Sequence, residues 1–220
     1  AIASAGHARA MRACRPGMAR CRLEAELGYE FRKRGADGHA YSPIVAGGRN
    51  ACVLHYIEND KLLGEQAMVL IDAGCEVDGY ASDITRTFPV NGRFSPVQRD
   101  VYEIVLAAQS AALATIKPGI PFIAYHDAAL RVLTQGMIDL KLLAGNLDDL
   151  IASEAYKPFY MHRTGHWLGL DVHDAGEYKT GDEWVTLAPG MALTVEPGLY
   201  ISPGADVPEH LHGIGIRIED

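Results

Sequence analysis

The chain has 220 residues, is 48% hydrophobic and carries a formal net charge of −8. That length and apolar content suit one large domain or two small ones with a real core. The acidic balance, with no basic run or Arg/Lys stripe, argues against nucleic acid as a partner. No stretch approaches the roughly 18 consecutive apolar residues that a membrane-spanning helix needs.

Residues 1–14 are Ala-rich, with Ile2, Ala5, Met11 and Cys14 loosely on one face. They predict a helix ending at Arg15-Pro16-Gly17. A second helix is expected over residues 19–34, where Leu23, Leu27 and Phe31 recur at helical spacing. Its basic end, Arg32-Lys33-Arg34, suits the helix dipole. Residues 35–48, broken by Ser-Pro and Gly-Gly, read as a loop. Residues 52–57 and 68–72 read as strands. Ser95-Pro96-Val97-Gln98 forms a capping box with Pro at the first helical position, and opens a helix to about Ile116. That helix ends at Lys117-Pro118-Gly119, and another is expected over residues 123–136. Residues 140–155 are a mixed helical stretch with a Gly-Asn break. Strand pieces are expected at 159–162 and 168–172, and clearer strands at 191–196 and 215–219.

The four cysteines, Cys14, Cys21, Cys52 and Cys75, make no CxxC pair. Free thiols in a cytoplasmic chain fit them better than a disulfide framework or zinc ligation. The N-terminal residues lack the apolar core of a signal peptide and do not begin with Met. A processed chain, or one cut from something longer, is expected.

Residues 70–90 organise the rest. A hydrophobic run ends in Asp72, turn residues follow at Asp78-Gly79, and Asp83 leads a second β-rich run. The pattern reads as a hairpin with one carboxylate on each strand. The midpoint of the two aspartates falls one step off a two-residue Asp-Gly turn, so a bulge or longer loop is expected. Two carboxylates held together repel unless one is protonated or a cation lies between them.

An internal repeat is visible. The order helix, Arg15-Pro16-Gly17, helix returns in the second half as helix, Lys117-Pro118-Gly119, helix. Each copy leads to strands and then to a pair of acids: Asp72 and Asp83 first, Glu196 and Glu219 later. Two such halves predict an α+β arrangement with sheets adjacent, helices outside and a site between. His162, His166 and His173 fall in one short stretch rich in glycine and aromatics. Charged residues at strand ends are often ordinary exits from the sheet, but two in each half suggest a shared site. The four carboxylates together balance two divalent ions, with His166 adding a neutral nitrogen. An oxygen-rich set without thiolate favours manganese or cobalt over a structural zinc.

The motifs LHYIEND, IDAGCEVDGYASDITRTFPVNGRFS, HRTGHWLGLDVHDAG, LTVEPGLYI and GIGIRIED resemble those of the M24 metallopeptidases of the pita-bread fold, above all its bacterial Xaa-Pro aminopeptidase group. Their order and spacing cover nearly the whole chain. The resemblance implies one pita-bread domain over residues 1–220 with a pseudo-two-fold internal repeat and an antiparallel sheet covered by helices. It implies two divalent metal ions, most naturally Mn²⁺ with Co or Zn as substitutes, held by Asp72, Asp83, His166, Glu196 and Glu219. It implies that His55, His162 and His173 line the substrate pocket, with Arg217 supporting the site and Tyr200 near it.

Family members usually carry an N-terminal domain that helps close the site and assemble oligomers, and they continue past the position of Asp220. The expectation is therefore a catalytic domain without its N-terminal partner, C-terminally truncated, and homo-oligomeric when that partner is present. No arginine occurs between Asp174 and Met191, so a family contact from a basic residue in that loop is not carried over.

The expected activity is release of the N-terminal residue from peptides with proline second. That bond is a tertiary amide without N–H, which proteases reading an extended backbone handle badly. Glu196 would move the proton to the leaving nitrogen, and His55 and His173 would hydrogen-bond the tetrahedral centre. A prolidase restricted to dipeptides is the nearest alternative. A methionine aminopeptidase, a creatinase-like hydrolase and a metal-free peptide-binding relative fit the motifs less well.

Overall fold

Helices α1 (Ile2–Ala13) and α2 (Arg20–Lys33) open the chain as a helical hairpin. The structure, a computed structural model, describes all of residues 1–220. Ala3, Gly6, His7 and Ala10 give α1 a narrow small-residue face, and α2 meets it with Leu23, Leu27 and Phe31. This spacing buries one stripe of each helix.

The stretch expected to be a loop at 35–48 instead contains β1 (Gly38–His39) and β2 (Ile44–Gly47). All four β2 residues are buried. Pro43 and Gly48 mark the ends of this short apolar strand, so the breakers seen in the sequence bound an element. The strand expected at 52–57 is absent: a 3-10 turn covers Gly48–Cys52, and irregular chain follows. There the Asn59 side chain takes the place of a neighbouring strand. Its Oδ1 accepts from Val45 N–H at 2.9 Å, and its Nδ2 donates to the Pro43 carbonyl and to Glu24.

Strands β3 (Met68–Asp72), β4 (Cys75–Val77), β5 (Tyr80–Ala81) and β6 (Thr85–Pro89) form the aspartate hairpin. It is shared between an antiparallel sheet of order β2-β3-β6 and a smaller one of order β1-β4-β5. The expected bulge is not there. Val77 pairs with Tyr80 across Asp78-Gly79, whose φ values of 51° and 80° mark a two-residue turn of type I′. The same register continues to Asp72↔Thr85. Asp83 therefore lies diagonal to Asp72 on one face rather than directly opposite. Gly74 is required where the strands cross, because a Cβ there would fall 1.6 Å from the Ser82 carbonyl oxygen.

The second half repeats the plan. Helix α3 (Pro96–Thr115) starts at the Ser95/Gln98 capping box and pairs with α4 (Ala124–Asp139). The short α5 (Leu147–Ala152) is capped by Asn146, and β7 (Lys179–Thr180) pairs with β8 (Glu183–Trp184). Strands β9 (Gly198–Ile201) and β10 (Ile214–Arg217) pair antiparallel.

Three strand expectations need correction. Residues 159–162 and 168–172 form no strand, and 191–196 is extended but irregular, with the regular strand beginning only at Gly198. Segments 164–168 and 192–196 do lie side by side: Leu168, Thr194 and Glu196 N–H groups donate to the Ala192, His166 and Thr164 carbonyls. Only Trp167 and Leu193 form a β-bridge here, and at the next pair the Thr194 hydroxyl, not its carbonyl, accepts from His166 N–H at 3.1 Å.

Each helical hairpin covers its own core. One centres on Leu23, Leu27, Phe31, Val69 and Ile71, the other on Val105, Tyr125, Leu133, Met137, Leu199 and Ile216. The halves meet at a seam where Thr85 and Glu219 form a β-bridge and the Thr87 hydroxyl donates to the Arg217 carbonyl. The result is an α+β fold of antiparallel sheets backed by helices.

Candidate metal centre

Each acid singled out in the sequence lies beside the seam. Asp72 ends β3 and Asp83 sits two residues before β6. Glu196 precedes β9 by two residues and Glu219 follows β10 by two. His166, on the segment paired with 192–196, brings its ring to the same place. One ligand atom each from Asp83, His166 and Glu219 lie within 4.8 Å of one another. His166 Nε2 is 3.5 Å from Asp83 Oδ2 and 3.4 Å from Glu196 Oε1. Tyr41 ties in the fifth residue, donating its O–H to Asp72 Oδ1 at 2.6 Å while also contacting Asp83 Oδ1. All five candidates, with His55, His162, His173 and Arg217, line one cleft of about 370 Å³.

The electrostatics reveal what the cleft lacks. Arg217 is buried, 4% exposed, and pairs with Asp72. Of the two arginines lining the cleft it alone pairs with one of the four carboxylates, so the cleft floor is short of positive charge. Burial pushes the Glu196 carboxyl up to about 7, against the pull of Arg217 and His166. Burial and the neighbouring acids hold Glu219 well above the usual carboxylate range. Protons thus take the place of cations. The His166 ring is fixed from behind: Nδ1–H donates to the Trp167 carbonyl at 2.9 Å, which turns Nε2 toward Asp83 and Glu196. Those acids raise its pKa against burial, so Nε2 holds a proton without metal and offers its lone pair only where a cation displaces that proton. Oxygen donors, one imidazole nitrogen aimed at them and excess negative charge fit divalent metal ions.

The profile of metallopeptidase family M24 matches residues 1–220. The chain belongs to this family. It is 51% identical to the Xaa-Pro aminopeptidase of Escherichia coli, a match covering 100% of this chain and 49% of that protein. It is 43% identical to human Xaa-Pro aminopeptidase 3, over 90% of this chain and 38% of that one. The solved structure of aminopeptidase PepP from Pseudomonas aeruginosa superposes with a TM-score of 0.98 at 59% identity, covering 100% of this chain and 50% of that one. Aminopeptidase P of E. coli with the inhibitor Pro-Leu superposes with a TM-score of 0.97 at 51% identity, with the same coverage. The chain spans about half the length of the curated relatives it matches. The fold described above is therefore the M24 pita-bread fold.

Within this M24 site the three cleft histidines differ. His55 and His173 are exposed, and the His173 ring sits edge-on to His166 with centroids 4.4 Å apart. His162 is enclosed. Its Nδ1–H donates to the Arg163 carbonyl at 2.8 Å, and its Nε2 accepts from the Tyr200 hydroxyl at 2.8 Å. Burial, with Arg217 nearby, pushes its pKa down to about 4. The Tyr200 oxygen in turn accepts from Arg217 Nη1 at 3.1 Å. Arg217 thus links Asp72 to a fixed chain of Tyr200 and His162. Tyr200 itself is fully buried behind the cleft wall and does not line it.

Sequence reasoning missed Tyr41 and Thr85. The Thr85 hydroxyl donates to Glu219 Oε2 at 2.6 Å and accepts from Arg217 Nε at 3.2 Å. Thr85 had a signal, because it lies two residues after Asp83 on the same face of a strand. Tyr41 had none: it reaches the aspartates from outside both repeats' acidic hairpins.

Proposed function

We propose that residues 1–220 are the pita-bread catalytic domain of a dimetal aminopeptidase that releases the N-terminal residue from peptides with proline in the second position. The observation that carries this reading is the convergence of Asp83, His166 and Glu219 at the floor of a cleft that also takes in Asp72 and Glu196. These five would hold two divalent ions, most naturally Mn²⁺. When bound, the ions supply an activated water and polarise the scissile carbonyl.

The chain's own residues do the rest. Glu196, which lines the cleft beside His166, would take a proton from the attacking water and deliver it to the leaving nitrogen. That delivery is needed because an amine, not its anion, is the leaving group; proline, whose nitrogen carries no proton in the peptide bond, leaves as a secondary amine. His55 and His173, exposed on the cleft wall, donate hydrogen bonds to the oxygen that becomes negative. Arg217 fixes Asp72, and Tyr41 spans Asp72 and Asp83. In this reading His162 acts by position, since both its ring nitrogens are occupied.

The domain would work in the cytoplasm, as part of a longer chain that forms homo-oligomers. No helix is long and apolar enough to cross a membrane. The test is turnover of Ala-Pro-Ala, Ala-Pro and Ala-Ala-Ala on protein of measured Mn²⁺ content. Release of Ala from Ala-Pro-Ala, abolished by a chelator and restored by Mn²⁺, is expected. Cleavage of Ala-Pro alone would make the chain a prolidase, and equal cleavage of Ala-Ala-Ala would remove proline specificity.

A further inference from the structure

Two arginines line the cleft, and only one of them is used. Arg217 is paired with Asp72, whereas Arg163 forms no salt bridge and lies with its guanidinium 5.0 Å from the centre of the Trp184 ring. Lys179 lies over the same ring, its Nζ 4.6 Å from the centre, and is also free of any acid. Both cations are exposed. The floor beside them holds four carboxylates. A chain with net charge −8 that keeps two cations unpaired at the edge of its acidic cleft holds them available for something that is not part of the fold.

The geometry is prepared for a carboxylate. Trp184 comes from the β7–β8 hairpin and Arg163 from the histidine segment, so one indole joins the two walls. A cation–π contact with the indole restrains the guanidinium at the cleft while its N–H groups have no hydrogen-bond partner in the protein. A planar fork held in that way suits bidentate binding of a carboxylate. The loop between Asp174 and Met191 contains no arginine, and Trp184 within it instead receives one from the neighbouring wall.

We propose that Arg163, in cation–π contact with Trp184, is a specificity-determining subsite for the α-carboxylate of a short peptide. This rests on the peptidase reading above and adds to it a preference for short free-acid peptides over long or C-terminally blocked ones. The peptide would run from the acidic floor, where its N-terminal residue is released, toward the cationic rim.

The test compares Ala-Pro-Ala with Ala-Pro-Ala-amide on the Mn²⁺-loaded full chain, in wild type, Arg163→Gln and Arg163→Lys. Wild type should show a KM lower for the acid than for the amide by roughly 5- to 20-fold, the scale of one partly solvated charge-assisted pair. In Arg163→Gln that ratio should collapse toward one, chiefly through KM, and Arg163→Lys should restore part of it. A wild-type ratio of one, or a ratio unchanged in Arg163→Gln, overturns the subsite. A preference that follows an acidic side chain in Ala-Pro-Glu-amide instead overturns the assignment to the α-carboxylate. If no peptide is cleaved, the peptidase reading fails by itself, and calorimetry of Pro-Leu against Pro-Leu-amide with the same proteins still decides the subsite. Tighter binding of the acid that Arg163→Gln removes supports it, and equal binding refutes it.

Discussion

Replacing Glu196 by glutamine in metal-free protein should raise stability at alkaline pH and leave it unchanged in acid. Burial moves the folded-state pKa of Glu196 from 4.5 to about 7. Between those values the unfolded chain has lost its proton while the folded chain keeps it. The stability contribution of this carboxyl is therefore full below 4.5 and is lost as pH rises through about 7. The gap corresponds to about 3 kcal/mol. The side chain is only 16% exposed, so solvent screening removes little of it. Glutamine never ionises and still offers an oxygen to the Thr194 hydroxyl, 3.4 Å away in the wild type.

The difference in unfolding free energy between variant and wild type should then be close to zero near pH 4.5, and favour the variant by about 3 kcal/mol near pH 8. His126 and His162 titrate in the opposite sense, but both proteins carry them and they cancel in the difference; Glu219 and His166 face Glu196, so the difference reports the titration of that coupled cluster. Urea denaturation of verified metal-free protein at several pH values measures it. Excess Mn²⁺ should reverse the order near pH 8, because only the wild type offers the full set of carboxylates and gains the full binding free energy. A difference that does not vary with pH refutes the claim that burial of an uncompensated charge governs this site.

Three further outcomes are expected. Tyr41→Phe should keep the fold but weaken Mn²⁺ binding by roughly 10- to 100-fold, read by chelator competition, because Asp72 and Asp83 lose the hydroxyl between them. His173→Ala should keep its metal content while turnover falls on the order of 10²-fold, as for loss of an oxyanion donor; a parallel fall in metal would make His173 a ligand. His126, whose Nδ1 accepts from Thr164 N–H at 3.2 Å, is pushed by burial down to about 4. It is neutral in the fold, so it withdraws about 3 kcal/mol of stability as pH falls from 6.5 toward 4. His126→Gln should flatten that acid limb in denaturation curves recorded over the same range.

The two helical hairpins were legible in the sequence because their signals are local. Leu23, Leu27 and Phe31 recur on one helix face, and Ser95 with Gln98 writes a cap within four residues. The Asp78-Gly79 turn and the acids at the strand ends were legible for the same reason. The acids and histidines that line the cleft were legible too, because four carboxylates held together repel unless protons or cations lie between them.

What only the tertiary structure decided depends on partners far along the chain. Strand β2 was hidden among breakers until Asn59 and β3 supplied its neighbours, and the strand expected at 191–196 gave way to an irregular segment whose one β-bridge pairs Leu193 with Trp167. The reach of Tyr41 to both aspartates and the approach of Arg163 to Trp184 are distances between segments that no local pattern encodes. Sequence periodicity reports which face of an element is apolar. It carries no term for which polar groups, brought together across the seam by burial of the two cores, will face each other with too little positive charge between them.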